Sequence, residues 1–171
     1  SGDDGALLVD SGFGYYVSRD FIKVADKDDY VVQSAASVAA VNAYLYGLSP
    51  ENILDVCAAP GGKAVLMASL TGAAVTACDI HKHRVELIRK YAFRCDVRVK
   101  TEVNDASKFR PEWKNQFDLV VCDVPCSGIG VAGSKPDILF NRSEKDISAL
   151  TSLQYGILET ASRYVKPGGR L

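Results

Sequence analysis

The sequence has no excess charge of either sign: 20 Lys and Arg against 21 Asp and Glu leave a net charge of −1 over 171 residues. A segment gripping RNA unaided would be expected to show a strongly basic face, so any such grip belongs to other parts of a longer protein. No stretch is long and apolar enough to span a bilayer, and neither a signal peptide nor an initiator Met is present. Ser1 to Gly5 reads as a cut end or a flexible lead-in. The five cysteines, at 57, 78, 95, 122 and 126, include no C-x-x-C pair. Their odd number and irregular spacing suggest reduced thiols in a cytoplasm rather than a disulfide framework. Two phosphate-binding signatures are also missing. There is no G-x-G-x-x-G, which argues against a dinucleotide, and no Walker G-x-x-x-x-G-K-[ST]. Repeats and low-complexity segments are absent too.

What is present is concentrated in nine residues, Asp55-Val56-Cys57-Ala58-Ala59-Pro60-Gly61-Gly62-Lys63. They follow the apolar pair Ile53-Leu54 and precede a helical run from Ala64 to Leu70, so the segment reads as buried strand, sharp turn and first helical turn. Glycines there permit close approach of a ligand to the backbone, and the helix start offers unpaired N–H groups. Three further apolar runs end on acidic residues: Ala73 to Cys78 at Asp79, Val97 to Val103 at Asn104-Asp105, and Phe117 to Cys122 at Asp123. Strands alternating with helical patterns give an α/β fold with a parallel sheet, in which successive strand ends share one rim. An acidic residue after the second strand commonly accepts hydrogen bonds from a ribose diol, here Asp79. Asp105 can face the exocyclic amine of an adenine. A single strand-ending Asp is more often a cap or turn residue; four, at 55, 79, 105 and 123, are harder to assign that way.

The rest of the chain organises around these units. Between Gly12 and Val32, aromatic and β-branched clusters suggest short strands or a hairpin, giving a lead-in at 1–32 and a ligand-binding domain at 33–171 that is incomplete at its C-terminus. Ser34 is expected to cap a helix through Tyr46, ended by Gly47. Strands are expected at 52–56, 73–78, 97–103 and 117–122, with helices at 62–70 and 82–93. A long Gly/Ser/Pro loop fills 125–140. A helical stretch over 143–165, broken near Ser148-Ala149, leads to a Lys166-Pro167-Gly168-Gly169 turn before a fifth strand. Cys78, His81 and His83 are weighed as a metal cluster and set aside, because no fourth ligand or open catalytic position is suggested nearby; no metal is expected. The basic stretch from Lys82 to Lys100 reads as a solvated helix face.

The D-x-C-A-A-P-G-G-K turn, the C-D-I-H strand end, the N-D-A loop and Asp123-Val124-Pro125-Cys126-Ser127-Gly128 resemble the S-adenosylmethionine-dependent RNA cytosine carbon-5 methyltransferases, in particular the bacterial ones acting on 16S ribosomal RNA. Lys135-Pro136-Asp137-Ile138 and Tyr164 to Leu171 fit the same pattern. The likeness runs from about Tyr30 to the last residue. Gln33-Ser34 departs from the family's Gln-Asp, so no role is carried onto Ser34. The resemblance implies a Rossmann-like class I methyltransferase fold with S-adenosyl-L-methionine as cofactor and RNA, 16S ribosomal RNA, as partner. It implies that Cys57, Ala58, Ala59, Pro60, Gly61, Gly62 and Lys63 wrap the methionine part, Asp79 takes the ribose and Asp105 the adenine. Asp123 would lie near the methyl donor and the target cytosine. Lys63 is a candidate for orienting cofactor or base, and Arg84 for approaching the adenosine.

Carbon 5 of a pyrimidine is a weak nucleophile, so its methylation needs a thiolate added at carbon 6 and a base to remove the carbon-5 hydrogen. Pro125-Cys126 in the strand-end loop suits carbon methylation, since enzymes acting on exocyclic amines need no cysteine. By resemblance Cys126 assists product release, and the nucleophile comes from a Thr-Cys motif beyond Leu171; the chain alone is then expected to be inactive. Two alternatives remain at this point: a non-catalytic cofactor- or RNA-binding module, and a DNA-type cytosine methyltransferase with Cys126 as nucleophile.

Overall fold

A computed structural model of the chain describes residues 9–10, 15–16, 32–128 and 144–171, with side chains from residue 32 onward except 144 and 145. A short antiparallel hairpin joins β1 (Val9–Asp10) to β2 (Tyr15–Tyr16); the remaining lead-in clusters expected as strands lie outside the described residues. Then follow α1 (Ala35–Leu45), β3 (Asn52–Asp55), α2 (Gly62–Thr71), β4 (Ala74–Asp79), α3 (Lys82–Arg94) and β5 (Val99–Val103). A 3-10 turn at Pro111–Trp113, β6 (Phe117–Val121), α4 (Glu144–Ser162) and β7 (Val165–Arg170) complete the order. The five strands β3 to β7 form one all-parallel sheet in the order β5-β4-β3-β6-β7, the Rossmann-like class I arrangement.

Side-chain alternation along the strands builds a core on each face. Ile53, Val75, Ala77, Leu119 and Val121 pack with Val41, Ala64, Met67 and Ile88 of α1, α2 and α3. Leu54, Cys78 and Val120 point the other way, onto Trp113, Ile157, Ala161 and Tyr164. Tyr164, with no exposed surface, stacks on Phe109 and meets Trp113 edge-on. Asp118 laces the strand starts: Oδ2 accepts the N–H groups of Glu51 and Asn52 at 3.0 and 2.8 Å, and Oδ1 pairs with Lys166 at 2.8 Å. The Arg170 guanidinium closes the C-terminal end of α1 by donating to the carbonyls of Tyr44 and Tyr46 at 2.7 and 2.8 Å, where a cation suits unpaired carbonyls.

Three boundaries differ from expectation. Strand β5 begins at Val99 because the Val97 N–H donates to the Ala92 carbonyl at 3.0 Å, finishing α3 instead of entering the sheet. Helix α4 is unbroken at Ser148-Ala149, and the Thr151 and Ser152 hydroxyls donate to the carbonyls four residues back, at 2.9 and 3.1 Å, within the helix. The Lys166–Gly169 turn lies inside β7 and does not precede it. Phe117 pairs with Val165 and Leu119 with Arg170, so the turn is looped out as a bulge. Gly168, at φ +80°, supplies the left-handed residue it needs. The expected loop residues 129–143 lie outside the described residues.

Candidate functional site

Chain order reverses beside β3, whose two neighbours are β4 and β6. Beyond the carboxyl ends of the strands, this is the switch point where open α/β sheets bind ligands. The residues singled out from the sequence gather on this rim. After β3 the chain turns sharply: Ala58 N–H donates to the Cys78 carbonyl at 2.8 Å and Gly61 N–H to the Ala58 carbonyl at 2.7 Å. Gly61 caps α2 at φ +109°, with no side-chain cap for the helix N–H groups. A Cβ on Gly61 would stand 3.1 Å from Ile88 Cα, so close packing as well as backbone conformation selects glycine here. Gln33, from the segment before α1, braces the next residue by donating to the Gly62 carbonyl at 2.8 Å.

The four strand-end carboxylates are not equivalent. Asp55 is 1% exposed, its Oδ1 accepting the Cys57 N–H at 3.3 Å. It lies beneath the rim as a turn-forming residue, contrary to its reading as a fourth rim carboxylate. Burial above all pushes its pKa up to about 7, with Asp123 and Asp79 adding to the rise. Asp79 is 4% exposed; Oδ1 accepts the His81 N–H at 3.0 Å and Oδ2 pairs with Arg84 at 3.1 Å. Asp105 accepts from the Ser107 hydroxyl at 2.6 Å and the Ser107 N–H at 3.1 Å, which together with Lys108 hold its pKa low. Asp123 is exposed and reaches across to Lys63 at 2.7 Å, bridging the two strand ends of the switch point. Partial burial works against the Lys63 charge, but Asp123 outweighs it and the ammonium is held above its ordinary pKa.

The cysteines separate as clearly. Burial pushes the thiols of Cys57, Cys78 and Cys122 up to about 12, so they stay protonated at neutral pH. Cys126 is exposed, on the loop leaving β6. That loop is tethered to α4, since Gln154 Nε2 donates to the Pro125 carbonyl at 2.7 Å.

Three neighbours of the site were given no role by the sequence, although Gln33 and Asn104 belong to motifs that carry the resemblance. Tyr44 sits by the Lys63–Asp123 pair and Asp55, its phenol pKa raised chiefly by burial. Gln33 donates to the Gly62 carbonyl from outside the turn it braces. Asn104 is 9% exposed and its backbone N–H donates to the Asp79 carbonyl, yet its side-chain Nδ2 has no partner among the described residues. None of these follows from spacing, because each acts across elements. His81 and His83 stack on each other at 5.5 Å, and no group of three ligating side chains among the described residues is placed to hold a metal. No helix among the described residues is long and apolar enough to cross a membrane. On the basic stretch, Arg89 pairs with Glu86 at 2.6 Å and Lys100 with Glu102 at 2.7 Å, as a solvated face does.

Comparison with known proteins gives the same grouping. Residues 44–171 match the family model described as 16S rRNA methyltransferase RsmB/F. The probable ribosomal RNA small subunit methyltransferase B of Bacillus subtilis is 41% identical over 127 residues, 72% of this chain and 28% of that protein. The Klebsiella pneumoniae ribosomal RNA small subunit methyltransferase B is 35% identical over 147 residues, 84% of this chain and 34% of its own length. This chain thus spans about a third of the curated relatives it matches. The crystal structure of PH0851 superposes with a TM-score of 0.80 at 31% identity, over 98% of this chain and 40% of that one. NSun6 from Pyrococcus horikoshii, solved with SFG, gives 0.73 at 26%, over 91% and 42%. With its switch-point turn, its graded carboxylates and a matched region covering most of its length, the chain belongs to the RsmB/F family of 16S rRNA methyltransferases.

Proposed function

We propose that residues 33–171 are the S-adenosyl-L-methionine-binding part of an enzyme methylating cytosine carbon 5 in RNA, 16S ribosomal RNA, in the cytoplasm, with residues 1–32 as the link to the rest of the protein. The observation that carries this reading is the inequality of the cysteines: Cys126 alone of the five is exposed, three residues along the chain from Asp123, which pairs with Lys63. The rim suits the cofactor. Asn104 presents a buried amide without a partner among the described residues, the Gly61 turn brings bare backbone to the strand ends, and carboxylates stand at three successive ones.

Bound S-adenosylmethionine would supply an electrophilic methyl group on its sulfonium. Around it, Cys57 to Lys63 form the wall for the methionine part, Asp79 accepts the ribose hydroxyls and Asp105 the adenine amine. Lys63 holds Asp123 at the mouth, between cofactor and target base. Cys126 serves release of the methylated base from the covalent adduct that a later cysteine forms at carbon 6.

The test has two arms. S-adenosylhomocysteine should raise the melting temperature of this chain by mass action, whereas the chain alone should transfer no methyl group. In a version extended beyond Leu171 through the expected Thr-Cys, Cys126→Ala should accumulate a protein–RNA adduct that survives denaturing electrophoresis. Methylation by the unextended chain, or absence of the adduct where the parent turns over, would make Cys126 the nucleophile and overturn this assignment.

A further inference from the structure

Arg84 stands in the first turn of α3, and its guanidinium joins two segments that arrive from different strands. Nη1 lies 3.1 Å from Asp79 Oδ2 at the end of β4. Nη2 donates to the Ala59 carbonyl, at 3.3 Å, in the turn after β3. Those segments are the two walls between which the proposed cofactor lies. A carboxylate that is only 4% exposed needs a counter-charge and filled hydrogen bonds to be buried without large cost. Arg84 supplies the charge, and the His81 N–H fixes the other oxygen at 3.0 Å. With both oxygens held, rotation of the carboxylate is suppressed, yet each keeps lone-pair capacity for a further donor. Lysine could replace this function only in part: a single ammonium reaches one partner as a point charge, whereas the planar fork of Arg spans two acceptors at once.

We propose that Arg84 is a positioning residue for the cofactor's ribose. It locks the Asp79 carboxylate and the Ala59 carbonyl relative to each other, so that the diol acceptor is set before the ligand arrives. The inference rests on the S-adenosylmethionine reading and gives Arg84 a role through Asp79, without contact to the ligand.

Calorimetry on the full chain tests it with two probes, S-adenosylhomocysteine and its 2′,3′-dideoxy analogue, which lacks both ribose hydroxyls. Arg84→Ala should weaken S-adenosylhomocysteine binding at least tenfold, and Arg84→Lys by an intermediate factor. Against the dideoxy analogue, Arg84→Ala should change affinity less than twofold, because the group Arg84 positions no longer has anything to hold. Equal losses with both probes would mean a general structural role, and tighter binding would mean that Arg84 shields Asp79; either overturns the proposal. If Arg84→Ala melts below the assay temperature, the same ratio is read from Arg84→Lys. A folded parent chain that binds neither probe would remove the cofactor reading itself, and this inference with it.

Discussion

At the end of β4, Asp79 is 4% exposed and both its oxygens are held by the His81 N–H and Arg84. At the end of β6, Asp123 leaves 54% of its side chain exposed and is held by Lys63. Both are aspartates closing an apolar parallel strand, and the sequence treats them alike. The difference is that the β4 side is finished by its own chain, with a rigid, desolvated acceptor, while the β6 side stays open to solvent. That division leaves one side of the switch point pre-organised and the other accessible from solvent. The exposed Cys126 lies on the open side, and the protonated thiols of Cys57 and Cys78 on or under the closed one.

The largest expected effect that would break this comparison is chemical. Alkylation by iodoacetamide near neutral pH should modify the exposed Cys126 at least about a hundredfold faster than Cys57, whose thiol burial pushes up to about 12, since thiolate fraction falls about tenfold for each unit by which a thiol pKa rises. Peptide mapping after timed quenching reads the ratio. Comparable rates would mean that the two sides do not differ in access or burial.

Next in size is the effect of deleting each carboxylate. Asp79→Ala strips a buried acceptor from the His81 N–H and from Arg84, whose side chain is itself partly exposed, at a cost of about 2 kcal/mol in denaturant unfolding of the unliganded chain. Asp123→Ala removes a half-exposed pair and should cost less than about 1 kcal/mol. A similar cost for the two variants would erase the contrast.

The third effect concerns pH and the buried Asp55. Its folded pKa, pushed up to about 7 from an ordinary 3.8, means that the folded state holds a proton the unfolded chain has already released between those values. The contribution to stability is therefore fully present below about pH 4 and is lost as pH rises through about 7. Between pH 5 and pH 8 the parent should lose about 2 kcal/mol relative to Asp55→Asn, which cannot ionise, and a parallel pH dependence of the two would refute this. The smallest effect concerns the segment after β5. Tyr164 Oη accepts the Arg110 N–H at 2.8 Å and donates to the Lys108 carbonyl at 3.3 Å, holding the segment after Asp105. Tyr164→Phe should cost about 1 kcal/mol and quicken amide exchange from Ala106 to Arg110.

Much of this was legible along the chain. Ile53-Leu54 before the A-A-P-G-G-K turn, and Phe117 to Val121 before Asp123, identify buried strands feeding a rim, because continuous apolar runs bounded by turns fit a sheet covered on both faces. Ser34 caps α1 as its residue type suggests, accepting the Ser37 N–H at 3.1 Å. The misreadings share one cause. Val97 looks like a strand residue by composition, but its N–H is claimed by the helix before it. Ser148-Ala149 looks like a break until the Ser148 carbonyl accepts the Ser152 hydroxyl within an unbroken helix. The Lys166–Gly169 turn looks like a boundary until β6 pairs on both sides of it. Each outcome depends on a hydrogen-bond partner that composition does not name.

What the sequence determined by itself was the alternation of apolar strands and helices, the glycine turn after β3, and the presence of acids and a Pro-Cys dipeptide at strand ends. These follow from local steric and hydrophobic preferences, which act over a few residues. Only the tertiary structure decided that Asp55 is buried beneath the rim while Asp123 is exposed at it, that Arg84 ties Asp79 to Ala59, and that three thiols are held protonated while Cys126 faces solvent. Burial and charge pairing are set by neighbours that come from other elements, 25 residues away for Arg84 and Ala59 and 60 for Lys63 and Asp123, and the energy of a charge depends on that surrounding rather than on its own identity.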